Sequence, residues 1–137
     1  TRVLEPRSAT SRRGRMSPRL VREPVSAGPL RGEVWDAHLP RAGAHPLVVL
    51  TINGLLQRLS STTAVLITGT VGPRTTHIPL GPAAGLTRYD ESYAVATELH
   101  NVPLTALRAH RGRLSLGELR ALEDAIRIAH GLLDVDL

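Results

Sequence analysis

Two short runs, Leu47–Ile52 (LVVLTI) and Thr63–Thr68 (TAVLIT), set the fold class. Each is apolar at consecutive positions and rich in β-branched side chains, the pattern of a strand covered on both faces. Pro46 precedes the first run and Gly69 ends the second. A chain with two doubly covered strands must lay something over each side of its sheet. Further strand signals surround them. Glu33–Leu39 alternates, with Trp35, Ala37 and Leu39 on one side and Asp36 and His38 on the other. Thr75–Leu80 alternates into Gly81-Pro82, and Ser92–Thr97 reads as another strand. Asn53–Leu59 reads as a short helix or turn that Asn53 can cap, and Pro103–Ala109 as one helical turn.

The clearest helix closes the chain. Ser115 followed three residues later by Glu118 is a capping-box signature, and Gly131 suits the C′ position. Leu116, Leu119, Leu122, Ile126 and Ala129 recur at spacings of three and four, giving one apolar face. This predicts a helix lying as a lid on a strand core. About five short strands, a small helix and this lid predict a mainly β fold with α, a compact and partly open barrel.

Charge is unevenly distributed along the 137 residues. All 17 basic residues are arginine, and the net charge is +5. Residues 1–29 hold seven arginines against Glu5 and Glu23, and residues 30–137 match ten arginines to ten acids. The basic character therefore belongs to a leader. That leader, Thr1–Pro29, has no apolar period and is expected to be disordered. It reads as a leader without function of its own, as an arm that binds RNA phosphates, or as an Arg-rich targeting segment. Met16 within it allows a later translation start. The domain itself is expected to span residues 30–137.

Several chemistries are excluded by residue type. Cysteine is absent, so there are no disulfides, thiolate zinc sites or cysteine nucleophiles; the chain fits a reducing compartment. No run is long and apolar enough to span a membrane. No P-loop, HExxH or GxSxG motif occurs, and the six histidines are scattered, so no metal or other cofactor is expected. Glu123-Asp124 reads as a solvated helix face. Three aromatics in all argue against a base-stacking platform.

The order of the pieces resembles the MazF/PemK-type toxins. LRGEVWDAHLP (Leu30 to Pro40) is similar to the opening RGEIWWVDL of that family, HPLVVLTIN (His45 to Asn53) to RPVVVVSND, and AVLITGT (Ala64 to Thr70) to its third strand. GLTRYDESYAVATELHNVPLTALRAHRGRLS (Gly85 to Ser115) parallels the second half, and the last helix takes the place of the terminal one. The resemblance runs from Leu30 to about Leu133. It implies an SH3-like, partly open barrel that forms homodimers in a bacterial cytoplasm. It also implies metal-independent cleavage of single-stranded RNA and silencing by a cognate antitoxin. The related gyrase-poisoning toxins share the fold, but the RGE…HP…IT pattern is that of the RNase branch.

Metal-free RNA cleavage uses the 2′-OH as nucleophile, so a site must take its proton, stabilise the phosphorane and protonate the leaving 5′-oxygen. In the family this centres on the Arg of the RP dipeptide and on the Thr or Ser ending the third strand. The second matches here as Thr68, with Thr70 as a neighbour able to substitute; a strand-end Thr also caps its own backbone. The first departs: His45 stands where the family has Arg. Arg is a fixed cation with a two-donor fork, whereas an imidazole is charged only near or below about pH 6.5. His45 then serves as general acid, or Arg41 supplies the charge from the preceding loop, or the toxin is weakened. The family's acidic-Gln pair appears as Thr97-Glu98, making Glu98 a base for the 2′-OH or a selector of bases. TIN (Thr51 to Asn53) replaces SND and puts Asn53 among the RNA-contact candidates. Arg31, Arg74 and Arg88 are candidate phosphate contacts. These departures leave a second reading open, a non-catalytic module that sequesters an antitoxin.

Overall fold

A computed structural model describes residues 28–87 and 91–132. Nearly all of the leader, Met16 and Arg88 lie outside the described residues. Among the described residues there are six strands: β1 (Glu33–Leu39), β2 (Gly43–Val49), β3 (Ser61–Thr68), β4 (His77–Leu80), β5 (Ser92–Pro103) and β6 (Leu107–Arg113). A single turn, α1 (Asn53–Leu56), follows β2, and α2 (Leu116–Ala129) ends the fold. Short 3₁₀ turns at Pro82–Ala84 and Leu104–Ala106 complete it. The strands form one antiparallel sheet in the order β4-β5-β3-β2-β1-β6. Its edges, β4 and β6, do not pair with each other, so the barrel stays open.

The two defining runs are covered on both faces, as their composition predicts. Val48, Val65 and Ile67 point into a core closed by Leu122 and Ala125 of α2. Leu47, Val49 and Ala64 point into a second core with Ala37, Leu56 and Val102. The central strands thus separate two apolar layers, which is why neither run alternates. β2 begins earlier and ends earlier than LVVLTI suggests. Past Val49 one more backbone bond forms, Leu50 N donating to Thr63 O at 2.9 Å, and a side chain then takes over, Thr51 Oγ1 accepting a 2.9 Å hydrogen bond from the Thr63 amide.

Three expectations need correction. Pro103–Ala109 is helical only at Leu104–Ala106; its remainder enters β6, a sixth strand rich in Arg and His. An edge strand tolerates exposed charge on both faces, which hides its period. β5 runs to Pro103 instead of ending at Thr97, because a bulge sets Val95–Glu98 opposite Leu66 alone. Asn53 does not cap α1: Ile52 is the N-cap and no side chain caps it.

α2 has the expected capping box, with Ser115 Oγ accepting from Glu118 N at 3.1 Å and Glu118 accepting from Ser115 N at 2.8 Å. It ends in a Schellman motif around Gly131 (φ 68°), with Leu132 N donating to Arg127 O and Gly131 N to Ile128 O. Its buried face is Leu122 and Ala125 flanked by Leu119 and Ile126; Leu116 and Ala129, expected on that face, are exposed. Among the described residues no helix is long and apolar enough to cross a membrane.

Candidate functional site

Register brings the two principal candidates together. Ala37 of β1 pairs with His45 of β2, and Thr68 of β3 pairs with Tyr93 of β5. The β2–β3 ladder runs from Leu47↔Leu66 to Val49↔Ala64, and its register, continued by two residues, sets His45 across from Thr68. Residues opposite one another share a sheet face, so Ala37, His45, Thr68 and Tyr93 form one row. His45 is half-buried, and no hydrogen bond among the described residues engages its ring. Thr68 Oγ1 accepts from the Thr70 amide at 3.1 Å. Its backbone-capping role is therefore real, and it uses only an oxygen lone pair. The hydroxyl hydrogen is left to donate to a ligand oxygen.

Tyr93 is the member of this row that residue patterns do not single out. It is 8% exposed and lies edge-on to His77, with ring centroids 6.3 Å apart. Its hydroxyl donates to Glu91, and this bond holds the phenol above its ordinary pKa, helped by burial and by the Glu91 charge; Arg74 opposes the shift. Arg74 therefore lies near the row, on the loop from β3 to β4. That loop is folded tightly over His77. A Cβ on Gly72 would sit 2.5 Å from the imidazole, and Thr76 Oγ1 is 2.9 Å from His77 Nδ1. Only the cross-strand pairing of Thr68 with Tyr93 reveals this neighbourhood, and no local motif encodes it.

A groove of about 500 Å³ opens beside this row. Leu66 and Val102 form its floor, His38 lines it from the end of β1 and Arg41 from the β1–β2 loop, and His100 and Asn101 line it from β5. Leu66 lies two residues before Thr68 on β3, hence on the same face. Glu98 reaches the groove through His100, whose Nε2 is 3.2 Å from its carboxylate. No hydrogen bond among the described residues joins Glu98 to His45 or Thr68. Register puts His45 and Thr68 on one face beside the groove that Arg41 lines, and Glu98 is tied to that groove through His100. Arg74 acts on the Tyr93 hydroxyl, and Thr70 is exposed two residues past β3.

Arg31 and Asn53 fall elsewhere. Arg31 Nε donates to Leu50 O at 2.8 Å and Nη2 pairs with Glu123 of α2 at 2.6 Å. Its amide donates to Asn53 Oδ1 at 2.7 Å. The Arg31 guanidinium and the Asn53 side-chain oxygen are thus engaged within the fold, joining the start of β1 to α1 and α2. Glu123 is correspondingly a part-buried ion-pair partner rather than a purely solvated side chain, while Asp124, at an exposed position, pairs with Arg127 one turn on.

Comparison with known proteins gives the same architecture. One similar solved structure is a mycobacterial endoribonuclease in complex with its cognate antitoxin: TM-score 0.69, 24% identity, covering 77% of this chain and 98% of that one. The Mycobacterium tuberculosis toxin MazF-mt6 matches with TM-score 0.67 and 27% identity over 75% of this chain and 99% of that one. A MazE–MazF structure from Deinococcus radiodurans matches with TM-score 0.64 and 13% identity over 78% and 100%. No curated protein matches. A family model for the PemK-like, MazF-like toxins of type II toxin-antitoxin systems covers residues 30–130, the span of the sheet and its helix. The chain belongs to that family.

Proposed function

We infer that the protein is a metal-independent endoribonuclease toxin that cleaves single-stranded RNA through its own 2′-OH. The observation that carries this reading is the row in which His45 and Thr68 share a sheet face beside the Arg41 groove. In it Thr68 donates its hydroxyl to a non-bridging phosphate oxygen, and His45 protonates the leaving 5′-oxygen. Arg41, from the loop over the groove, supplies the fixed charge that the family's Arg provides elsewhere. Glu98, coupled to His100, takes the 2′-OH proton, and Arg74 and Thr70 hold the flanking strand. No cofactor is needed by this scheme.

The unit that acts is the domain from residue 30 onward, as a homodimer in the cytoplasm, held silent by a cognate antitoxin. Support comes from the family and from a similar endoribonuclease bound to its antitoxin. The purified protein in EDTA should cut single-stranded RNA between about pH 5 and 8, where imidazole changes charge, and leave 2′,3′-cyclic phosphate ends. Intact RNA across that series, together with a tight complex with an antitoxin segment, would establish the non-catalytic binding module instead.

A further inference from the structure

The opposite face of β1 and β2 carries a second cavity, of about 140 Å³, roughly the volume of five waters. Asp36 and Arg111 form its polar wall and buried Ser92 its end; Ala44, Pro46 and Leu86 form apolar sides. Arg111 Nη1 lies 3.3 Å from Asp36 Oδ2, with the two side chains 37% and 32% exposed. Among the described residues neither side chain has a further hydrogen-bond partner, so the carboxylate keeps acceptor sites and the guanidinium keeps donors. The frame around it is rigid. The Pro82–Ala84 turn packs so closely on β6 that a Cβ on Gly85 would lie 1.9 Å from Arg111 O, and one on Gly112 would lie 2.2 Å from Ala83 O. A shallow groove of about 250 Å³, sharing Asp36 and Ala44 with the cavity, leads from it past the exposed Arg108.

The polar wall asks for a planar ligand with paired donors on one edge and paired acceptors on the next. Guanine answers this, with N1–H and the 2-amino group for the carboxylate and O6 and N7 for the guanidinium. Uracil has one ring N–H, and adenine and cytosine have an amino group without an adjoining N–H. None of these three fills both sides. We propose that the Asp36–Arg111 cavity reads a guanine of bound RNA, with Arg108 holding its phosphate. This rests on the RNA reading above but concerns specificity and involves neither His45 nor Thr68.

The test measures binding without cleavage. Fully 2′-O-methylated heptanucleotides, uridine except for a central G, A, C or U, lack the nucleophile and so report recognition alone. The ¹⁵N-labelled protein should bind the G oligonucleotide at least about fivefold more tightly, with the largest amide shifts at Asp36, Ala44, Ser92 and Arg111. Asp36→Asn, and independently Arg111→Gln, should erase the preference while keeping the wild-type spectral dispersion. Equal binding of the four oligonucleotides, no binding, or a G preference that survives both substitutions would overturn the proposal. Guanosine monophosphate that binds there without competition from the G oligonucleotide would also overturn it, in favour of a free-nucleotide site. Cleavage of ordinary RNA is scored separately, so failure of guanine reading and failure of the nuclease reading remain distinct.

Discussion

Arg31 shows how a residue type misleads when its partners are distant in sequence. An arginine ahead of a strand in a candidate nuclease invites a phosphate, yet its guanidinium is satisfied by Leu50 O and by Glu123, 92 positions away. Removing it strands a carbonyl and a carboxylate. Arg31→Ala should therefore cost about 1–2 kcal/mol and lower the melting temperature by several degrees, with little change in RNA affinity at saturating folded protein. A large affinity loss with unchanged stability would return Arg31 to the binding surface. Tyr93 makes the complementary point, being invisible to motif reading and placed by pairing alone. Its raised pKa means the folded state holds the phenol proton more tightly than the unfolded state does. That contribution is complete below the ordinary value of 10.0 and is lost as pH rises through the folded one. Of the two tyrosines, one should titrate above 10.0 by ultraviolet absorbance, and Glu91→Gln should bring it down. Two coincident titrations would contradict the Tyr93–Glu91 bond.

Among the elements, those specified by local chemistry were legible and those specified by pairing were not. The α2 cap could be read from Ser115 and Glu118 because both partners lie within one turn. β6 could not, since its residues gain their meaning from β1 and from the tight contact with Gly85 and Ala84. The β5 bulge is equally silent in sequence, so Glu98 was legible as a residue but its partnership with His100 was not. Glu118 has a second task, accepting from Gly81 N at 2.6 Å and so tying α2 to the end of β4. Ser115→Ala should cost about 1 kcal/mol, and Glu118→Ala should cost more, by thermal or urea unfolding. Equal costs would show that the Gly81 tie contributes nothing. Gly85→Ala faces both a left-handed backbone (φ 75°) and a Cβ 1.9 Å from Arg111 O. It should cost roughly 3 kcal/mol or more, and a near-neutral result would contradict the close approach of the turn to β6.

At the scale of the molecule, one sheet buried on both sides creates two distinct polar sites on opposite faces. One holds the His45–Thr68 row and its groove; the other holds the Asp36–Arg111 cavity. The architecture was legible because two unbroken apolar runs demand cover on each side, a constraint that does not depend on detail. The +5 charge, by contrast, sits on residues 1–29, outside the span matched to the family. The candidate RNA chemistry lies in the neutral remainder, so removing residues 1–27 should leave cleavage at moderate salt intact. Loss of cleavage from the truncated but folded chain would assign binding to the leader. RNA 5′ ends sequenced after induction of the wild type should cluster at one short recurring motif. The same ends should disappear with Thr68→Ala at matched levels of folded protein. Identical end profiles from wild type and Thr68→Ala would contradict the assignment of this face as the active site.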